Sequence, residues 1–364
     1  MYSKRASRQI RPIRTAQVGP AGVWVLAGLL GFALVALGCS LFRGAVNSSP
    51  ELRWWLFSRF GADRLCPEMS KRSAPLRLAA GGNAIGRFFP NSCRYQVDEA
   101  RRTISVEFTG TGYAWTPIAG RVGFMAHAGV EYRADFALEG DATYVWARTE
   151  RMLFAPEFRV GSIENKLVDW ARHQTPVAYL TSTFGAQVAS GQLASGFTVV
   201  RTEDGDAFSL GILQPPERPR EALPSSGGER TLVASDTAEI RVEQLDFLGP
   251  VVVEEIPLDV HFKYRVVGPN AEGFVYARSV ADAWREAIQT GAAVGPPPGP
   301  PVFAFPIRAG ALGEQSVRLP PGQYVFVIDH SRLVGSVAPP WSPLNPMGAN
   351  SLVLDYRLEV TRAD

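Results

Sequence analysis

The sequence predicts a mainly β protein, with an α+β first domain and an antiparallel β-sandwich second domain, behind an N-terminal lipoprotein signal or membrane anchor. Three observations support this fold class. Apolar and polar residues alternate in many short runs, as at Ile104, Val106 and Phe108, which is typical of half-buried strands. A stretch rich in proline, glycine and serine, 215–230, divides the chain. An uncharged apolar stretch, 23–39, precedes all of these runs.

The N-terminal segment has the features of an export signal. Five cations and no acidic residue lie within residues 1–14, and the apolar stretch 23–39 follows them. Residues 36–39, Ala-Leu-Gly-Cys, resemble a bacterial lipobox. The resemblance implies cleavage before Cys39 and acylation of its thiol, so that residues 1–38 form a signal peptide.

An uncleaved transmembrane helix is the alternative for this segment. Apolar character extends over residues 21–42, about 20 residues, which is enough to cross a hydrocarbon core. The Lys/Arg excess ahead of it would keep the N-terminus in the cytoplasm. Under either hypothesis the rest of the chain is exported and tethered to a membrane, at the outer membrane or the periplasmic face of a bacterial envelope.

Composition is consistent with an exported globular protein. The chain has 364 residues, a formal net charge of +2 and 46% apolar residues. Because five of its cations lie in the first 14 residues, the remainder is near neutral, which argues against nucleic acid as a partner. The roughly 325 residues left after cleavage indicate two domains, which we place at 75–214 and 231–364, with the linker 215–230 between them.

The three cysteines fit an oxidising compartment. If Cys39 carries lipid, Cys66 and Cys93 remain as a pair. They are 27 residues apart, a loop whose closure is worth roughly 3–4 kcal/mol in the chain-entropy model. Two unpaired buried thiols are the alternative. A metal site is disfavoured because neither cysteine has a second Cys or His at ligand spacing.

Residues 39–74 are predicted to form a tether and an amphipathic aromatic helix. Ser49, Pro50 and Glu51 favour a helix start, and Gly61 favours its end. One face of this helix would carry Leu52, Trp55, Leu56 and Phe60. Aromatic side chains with arginines beside a membrane anchor indicate an interfacial helix. A helix packed on its own domain is the alternative.

The first domain is predicted to contain strands, two helices and a hairpin. Glycines punctuate the strands, and the helices are expected at 162–171 and 175–194. The second domain is predicted to be almost all β, with strands at 258–266 and 352–360 and a strand buried on both faces at 324–328. One helix is expected there from Ser279, with Asp282 as a capping-box partner.

Two resemblances concern the mature chain. Residues 319–329, with Pro-Gly-x-Tyr at 321–324, resemble a strand entry in pre-peptidase C-terminal-like β-sandwich domains. The lipobox, the cysteine pair and the terminal run Val353-Leu354-Asp355-Tyr356 are together similar to uncharacterised envelope lipoproteins of myxobacterial type. That resemblance implies export and a membrane anchor, and it implies no known activity.

No catalytic constellation emerges from the motifs, and we predict no catalytic residue, cofactor or metal. The four histidines are His127, His173, His261 and His330. Asp329-His330-Ser331 places three reactive types in a row, but neighbours on a strand face opposite sides, so a turn that closes a buried strand is favoured over a triad. The run 203–206 is acidic, but it lacks the ligand spacing of a calcium loop.

Three functions of different classes follow. The leading hypothesis is a non-enzymatic, membrane-anchored envelope lipoprotein that acts as a binding or structural module, with another envelope protein or a glycan as candidate partner. The second is a lipid or small-ligand carrier, using a pocket between a curved sheet and the helix at 175–194. The third is a hydrolase with dispersed catalytic residues.

Overall fold

The computed structural model describes two compact units of the chain. The described residues are 42–363 without 72, 78–81, 117–118, 167, 170–190, 192–193, 204, 220, 226–228, 291–294, 333 and 338–350. One unit is Met1–Ser49, of which residues 42–48 are helical, and the other is Pro50–Asp364. The signal segment 1–38 and Cys39 lie outside the described residues, and so does the predicted helix at 175–194 except for residues 191 and 194, which are helical. Among the residues described, none of the helices has both the length and the apolar character needed to span a membrane.

The larger unit begins with helices and continues mainly as strands, which confirms the mainly β class. The helices are α1 (Pro50–Leu56), a π-helical turn (Phe57–Gly61), α2 (Ala62–Ser70) and, between β11 and β12, α3 (Arg278–Gln289). The strands are β1 (Ala74–Arg77), β2 (Ala84–Asp98), β3 (Thr103–Thr116), β4 (Gly120–Glu139), β5 (Ala142–Ile163), β6 (Phe197–Thr202), β7 (Gly205–Leu210), β8 (Thr231–Ile240), β9 (Gln244–Val253), β10 (Leu258–Val267), β11 (Ala271–Ala277), β12 (Phe303–Ile307), β13 (Leu312–Leu319), β14 (Gly322–His330) and β15 (Leu352–Arg362).

Seven of these strands close into a barrel. Within the described residues, the first sheet runs β1-β2-β3-β4-β5-β6-β7-β8-β15-β10-β13, and β8 also pairs with β2. Both contacts that close the ring are parallel and short, since Leu232 of β8 pairs with Gly205 and Ala238 pairs with Ala84. The other neighbours are antiparallel. A strand from beyond the linker therefore completes a barrel that begins near residue 84.

The apolar face of the barrel strands packs against the N-terminal helices. The cluster contains Phe88, Phe108, Phe124 and Val130 from strands and also Trp54 and Ala62 from the helices. Trp54 is buried, and its indole Nε1 donates to Glu99 Oε2 at 2.6 Å. The aromatic helix is thus packed on its own unit, which was one of the two alternatives from the sequence.

The predicted disulfide is confirmed. The Sγ atoms of Cys66 and Cys93 are bonded, and the two Cα atoms are 5.3 Å apart, within the ordinary range for a disulfide. Cys66 lies in α2 and Cys93 in β2. The bridge therefore fastens the second helix to the barrel wall.

The π turn changes which side chains share the outer face of these helices. The sequence predicted Trp55 and Phe60 on one face with Leu52 and Leu56. In the structure Trp55 is 52% exposed and Phe60 is 65% exposed, whereas Leu52 and Leu56 are half-buried. A π turn adds a residue to the helical repeat, which brings positions five apart onto one side. The two rings consequently meet edge to face, with centroids 6.0 Å apart.

The C-terminal strands form two layers around a second core. Strands β8, β15, β10 and β13 extend the barrel sheet, and a separate sheet runs β12-β11-β14-β9. One apolar cluster draws on both layers, with Phe262 of β10 stacked on Phe326 of β14 at 5.6 Å. Because β8 belongs to the barrel as well, these layers are not a clearly separate sandwich. The domain boundary at 215–230 stays a prediction.

Helix α3 covers the outer face of the smaller sheet. Trp284 lies between Phe247 and Tyr276, with ring centroids 5.7 Å from each, and its Nε1 donates to the Gly295 carbonyl. The predicted apolar side of the helix is confirmed at Trp284 and Ile288. The predicted capping box is wrong, because the helix begins at Arg278 and its N-cap makes no side-chain hydrogen bond.

The prediction of a helix at 162–171 placed the start of that helix too early. Strand β5 continues to Ile163, which pairs with Val122 of β4. Ser162 lies in this strand, and its Oγ donates to the Gln289 carbonyl at the end of α3 at 2.8 Å. The short polar run looked like a helix start, but pairing with the long neighbour β4 keeps it extended.

Candidate functional site

The end of β14 carries the Asp329-His330-Ser331 run. Ser331 Oγ donates to Asp329 Oδ1 at 2.7 Å, and the Ser331 backbone N–H donates to the same oxygen at 2.9 Å. Val327, on the side of Asp329, belongs to the core under α3, and Ile328, on the side of His330, belongs to the core between the layers. The serine hydroxyl is therefore bound to a carboxylate that lies on the opposite face from the imidazole.

Both titratable groups of this run are buried and have shifted pKa values. Burial raises the pKa of Asp329 to about 7, and the carboxylates of Glu272 and Glu243 add to the rise, while the Ser331 hydrogen bonds oppose it. Glu272 is the direct cross-strand neighbour of Asp329. Burial lowers the pKa of His330, against the effect of the Ile240 and Arg241 backbone. Neither His330 ring nitrogen makes a hydrogen bond of normal geometry, and nor does Asp329 Oδ2.

Replacing Asp329 by asparagine is expected to remove a fall in stability between about pH 5 and about pH 8. The folded protein holds the Asp329 proton more tightly than the unfolded chain does, so the stabilisation is full below about pH 4 and is lost as pH rises through about 7. Linkage puts the wild-type fall from this group at about 2–3 kcal/mol. Urea unfolding at both pH values measures it. Asp141→Asn, at an exposed acid, should keep the slope, whereas an unchanged slope in Asp329→Asn would contradict the assignment.

Three acids fix the loop that follows β14. Besides the Asp329–Ser331 contacts, Glu243 accepts from the Arg332 guanidinium at 2.7 Å. Glu272 accepts from the Ser336 hydroxyl and from the backbone N–H groups of Ser336 and Val337. The loop then continues into residues outside the described part of the chain. These acids have structural partners, which fits the prediction of a turn better than that of a triad.

The other described histidines lie in separate places. His127 lies on β4, where its Nε2 is 2.8 Å from Glu107 Oε1 and its ring packs on Phe154. His261 lies on β10 between two neighbouring strands, hydrogen-bonded to Ser316 and Thr361. His173 is outside the described residues. The described imidazoles thus belong to different strands and have different partners.

The acidic run at 203–206 lies where β6 is followed by β7, and its Asp206 is already part of β7 and pairs with Arg201 of β6. Asp206 accepts two hydrogen bonds from the Arg201 guanidinium, at 2.7 and 2.8 Å, so its carboxylate is engaged across the hairpin. In the described part of the chain, no group of three or more His, Cys, Asp or Glu side chains is arranged to hold a metal ion.

A cleft of about 200 Å³ opens where the barrel, the smaller sheet and α3 meet. Residues from five elements line it: Ser70, Phe89, Pro90, Asn91, Pro250, Arg278, Asp282, Arg285 and Val325. Its polar side is supplied mainly by α3, and its apolar side by the two sheets. Sequence reasoning missed this cleft because its walls come from residues up to 255 positions apart.

The polar side of the cleft consists of two arginines that form ion pairs with the same aspartate. Arg278 Nε is 3.1 Å from Asp282 Oδ2, and Arg285 Nη1 is 3.0 Å from Asp282 Oδ1. Arg278 also donates to Gln323 Oε1 at 2.7 Å. The spacing Arg-x3-Asp-x2-Arg places these three side chains on one face of a helix, which is the signal that a sequence could have offered.

Arg285 is held in place by the barrel. Its guanidinium carbon lies 3.7 Å from the centre of the Phe89 ring, a cation–π contact between α3 and β2. The side chain is only 10% exposed, and its Nε has no hydrogen-bond partner. Burial lowers the pKa of Arg285, and Asp282 opposes that shift. The guanidinium therefore lies in a low-dielectric wall with hydrogen-bonding capacity unused.

Comparisons with known proteins add no family. No family model matches the chain, and no curated protein matches it. Among solved structures, a crystal structure of tripeptidyl peptidase 2 (TPP II) shows a TM-score of 0.22 and 10% sequence identity. The similarity covers 76% of this chain and 20% of that one, and at this score it supports no conclusion about fold or activity.

Proposed function

We propose that this chain is an exported, membrane-tethered envelope protein that acts as a binding or structural module without catalysing a reaction. The observation that carries the proposal is the disulfide between α2 and β2. Stable disulfides are formed in oxidising compartments and are rare in the cytosol. The basic and apolar N-terminal segment supplies the export signal that such a compartment requires.

The outer face of α1 and the π turn supports a location close to a membrane. Trp55 and Phe60 are exposed and paired, and the exposed Arg59 lies between them in sequence. Aromatic rings and arginines are the side chains enriched at membrane–water interfaces. Trp55 lies only 15 positions after Ser40, which follows the lipobox cysteine. A face of this composition would favour contact with lipid headgroups.

The geometry of the reactive side chains supports binding rather than catalysis. A serine nucleophile needs an oriented base within hydrogen-bond reach. Ser331 instead donates to Asp329, His330 lies on the opposite face of β14, and His127 and His261 are hydrogen-bonded on other strands. The cleft beside α3 offers charged and apolar contacts but no nucleophile–base pair among its lining residues.

The membrane tether predicts a mature chain that begins at Cys39. We expect the intact mass of the membrane-extracted protein to equal residues 39–364 with one intact disulfide plus two or three acyl groups. A matched Cys39→Ser variant should retain residues 1–38, because the modified thiol is what licenses cleavage. A wild-type chain that still carries residues 1–38 would contradict lipidation and indicate a transmembrane tether, and an unmodified chain in the cytosolic fraction would contradict the proposed function.

The same membranes test the binding role. Chemical crosslinking before extraction should join the protein reproducibly to one envelope component, either another protein or a glycan. Hydrolysis of a broad panel of ester, peptide and glycoside substrates by the purified full chain would contradict a non-enzymatic function.

A further inference from the structure

The residues that line the cleft beside α3 carry one more positive than negative charge. Two guanidinium groups, from Arg278 and Arg285, share the single carboxylate of Asp282. Arg278 is also hydrogen-bonded to a neutral amide, that of Gln323. Among the lining residues no other side chain is charged, and Glu286, outside the lining, acts on Arg285 more weakly than Asp282 does.

The position of Arg285 makes that charge available for recognition. The Phe89 ring fixes the guanidinium plane, so little side-chain entropy remains to be lost on binding. Arg285 is largely buried, and a low local dielectric strengthens an ionic hydrogen bond formed there. A mobile surface arginine would offer neither advantage.

Size and lining restrict the ligand. Drug-sized ligands occupy sites of roughly 300–1,000 Å³, whereas a cavity of about 150 Å³ holds a single benzene ring. The cleft, at about 200 Å³, therefore admits one compact group. Pro90, Pro250 and Val325 also line the cleft and give that group apolar contacts. One net positive charge matches a monoanion.

From these features we propose that the cleft binds a carboxylate group attached to an apolar or aromatic part of a larger ligand, such as a chain terminus or an acidic substituent of an envelope component. Guanidinium groups present paired donors whose geometry matches the two oxygens of a carboxylate. The inference rests on the proposed binding function and names the chemistry that its partner would present.

Benzoate is the probe for this site. In calorimetric titrations of the full chain in detergent, we expect one benzoate site with a Kd on the order of millimolar. Arg278→Gln should weaken binding by about fivefold to tenfold, because it removes one charged donor. Asp282→Asn should tighten binding severalfold, because it removes the carboxylate that competes for both arginines. Arg265→Gln, at an exposed ion pair on β10, is the matched control and should change nothing.

The site is identified by changes in benzoate affinity of opposite sign: Arg278→Gln should weaken binding and Asp282→Asn should tighten it. Absence of saturable benzoate binding, or equal affinities in all four proteins, would overturn the proposal. Inorganic phosphate binding more tightly than benzoate would also overturn the assignment to a carboxylate. If benzoate fails while the membrane tether and the crosslinked partner are found, only the cleft is wrong and the proposed function stands.

Discussion

Replacing Asp246 by alanine is expected to lower the free energy of unfolding by about 3–5 kcal/mol. Its carboxylate accepts two hydrogen bonds from the Arg87 guanidinium, both at 2.8 Å, and a third from the Tyr113 hydroxyl at 2.6 Å. Burial by itself would lower the pKa of Arg87, but the Asp246 carboxylate more than compensates, so the guanidinium stays charged. Removing the carboxylate leaves that charge buried and unpaired.

The effect should extend across the contact between the two sheets. Arg87 lies on β2, and Asp246 lies 159 residues later on β9. The ring of Phe89, two residues after Arg87, makes the cation–π contact with Arg285 of the cleft. We therefore expect the Asp246 variant to lose benzoate affinity as well as stability, although Asp246 does not line the cleft.

Denaturant unfolding measures this loss, and two variants serve as controls. Asp141→Ala removes the partner of the exposed Arg218 and should cost less than about 1 kcal/mol. Arg87→Met combined with Asp246→Leu removes both charges and should recover part of the loss, because no unpaired charge remains. A loss below about 1 kcal/mol for Asp246→Ala would show that the pair does not stabilise the fold.

Reduction of the disulfide is expected to lower the free energy of unfolding by about 3–4 kcal/mol. The bridge closes a loop of 27 residues, which restricts the unfolded chain far more than the folded one. The destabilisation should be felt first at α2, since Cys66 is the covalent link from this helix to β2. Opening of α2 would uncover the buried Ala62 at its start.

Denaturant unfolding with and without a phosphine reductant tests the bridge. The reductant should move the unfolding midpoint of the wild type to a lower denaturant concentration. A Cys66→Ala/Cys93→Ala variant should show the lower stability from the start and should not respond to the reductant. A wild type that is insensitive to reductant, with free thiols detected by alkylation, would mean that the bridge does not form in the native protein.

Local pattern in the sequence was sufficient for several features. The alternation at Ile104, Val106 and Phe108 predicted a strand, and β3 spans Thr103–Thr116. The stripe of Trp284 and Ile288 predicted the buried side of α3. The disulfide was predictable because the predicted lipidation of Cys39 leaves Cys66 and Cys93 as a pair. Each of these inferences depends on side chains that are close in sequence, where backbone periodicity and cysteine number act directly.

The tertiary structure alone decided how these pieces combine. Strand β8 closes the barrel at Ala84 and Ala238, and Arg87 meets Asp246 across the sheets, which are contacts between residues more than 150 positions apart. Strand periodicity predicts which face of a strand is buried. It does not predict which other element packs on that face, because any apolar face can pack against another. The cleft follows from such contacts too: Arg278 and Asp282 are neighbours on one helix, but only docking of α3 on Phe89 turns them into a wall of a binding site.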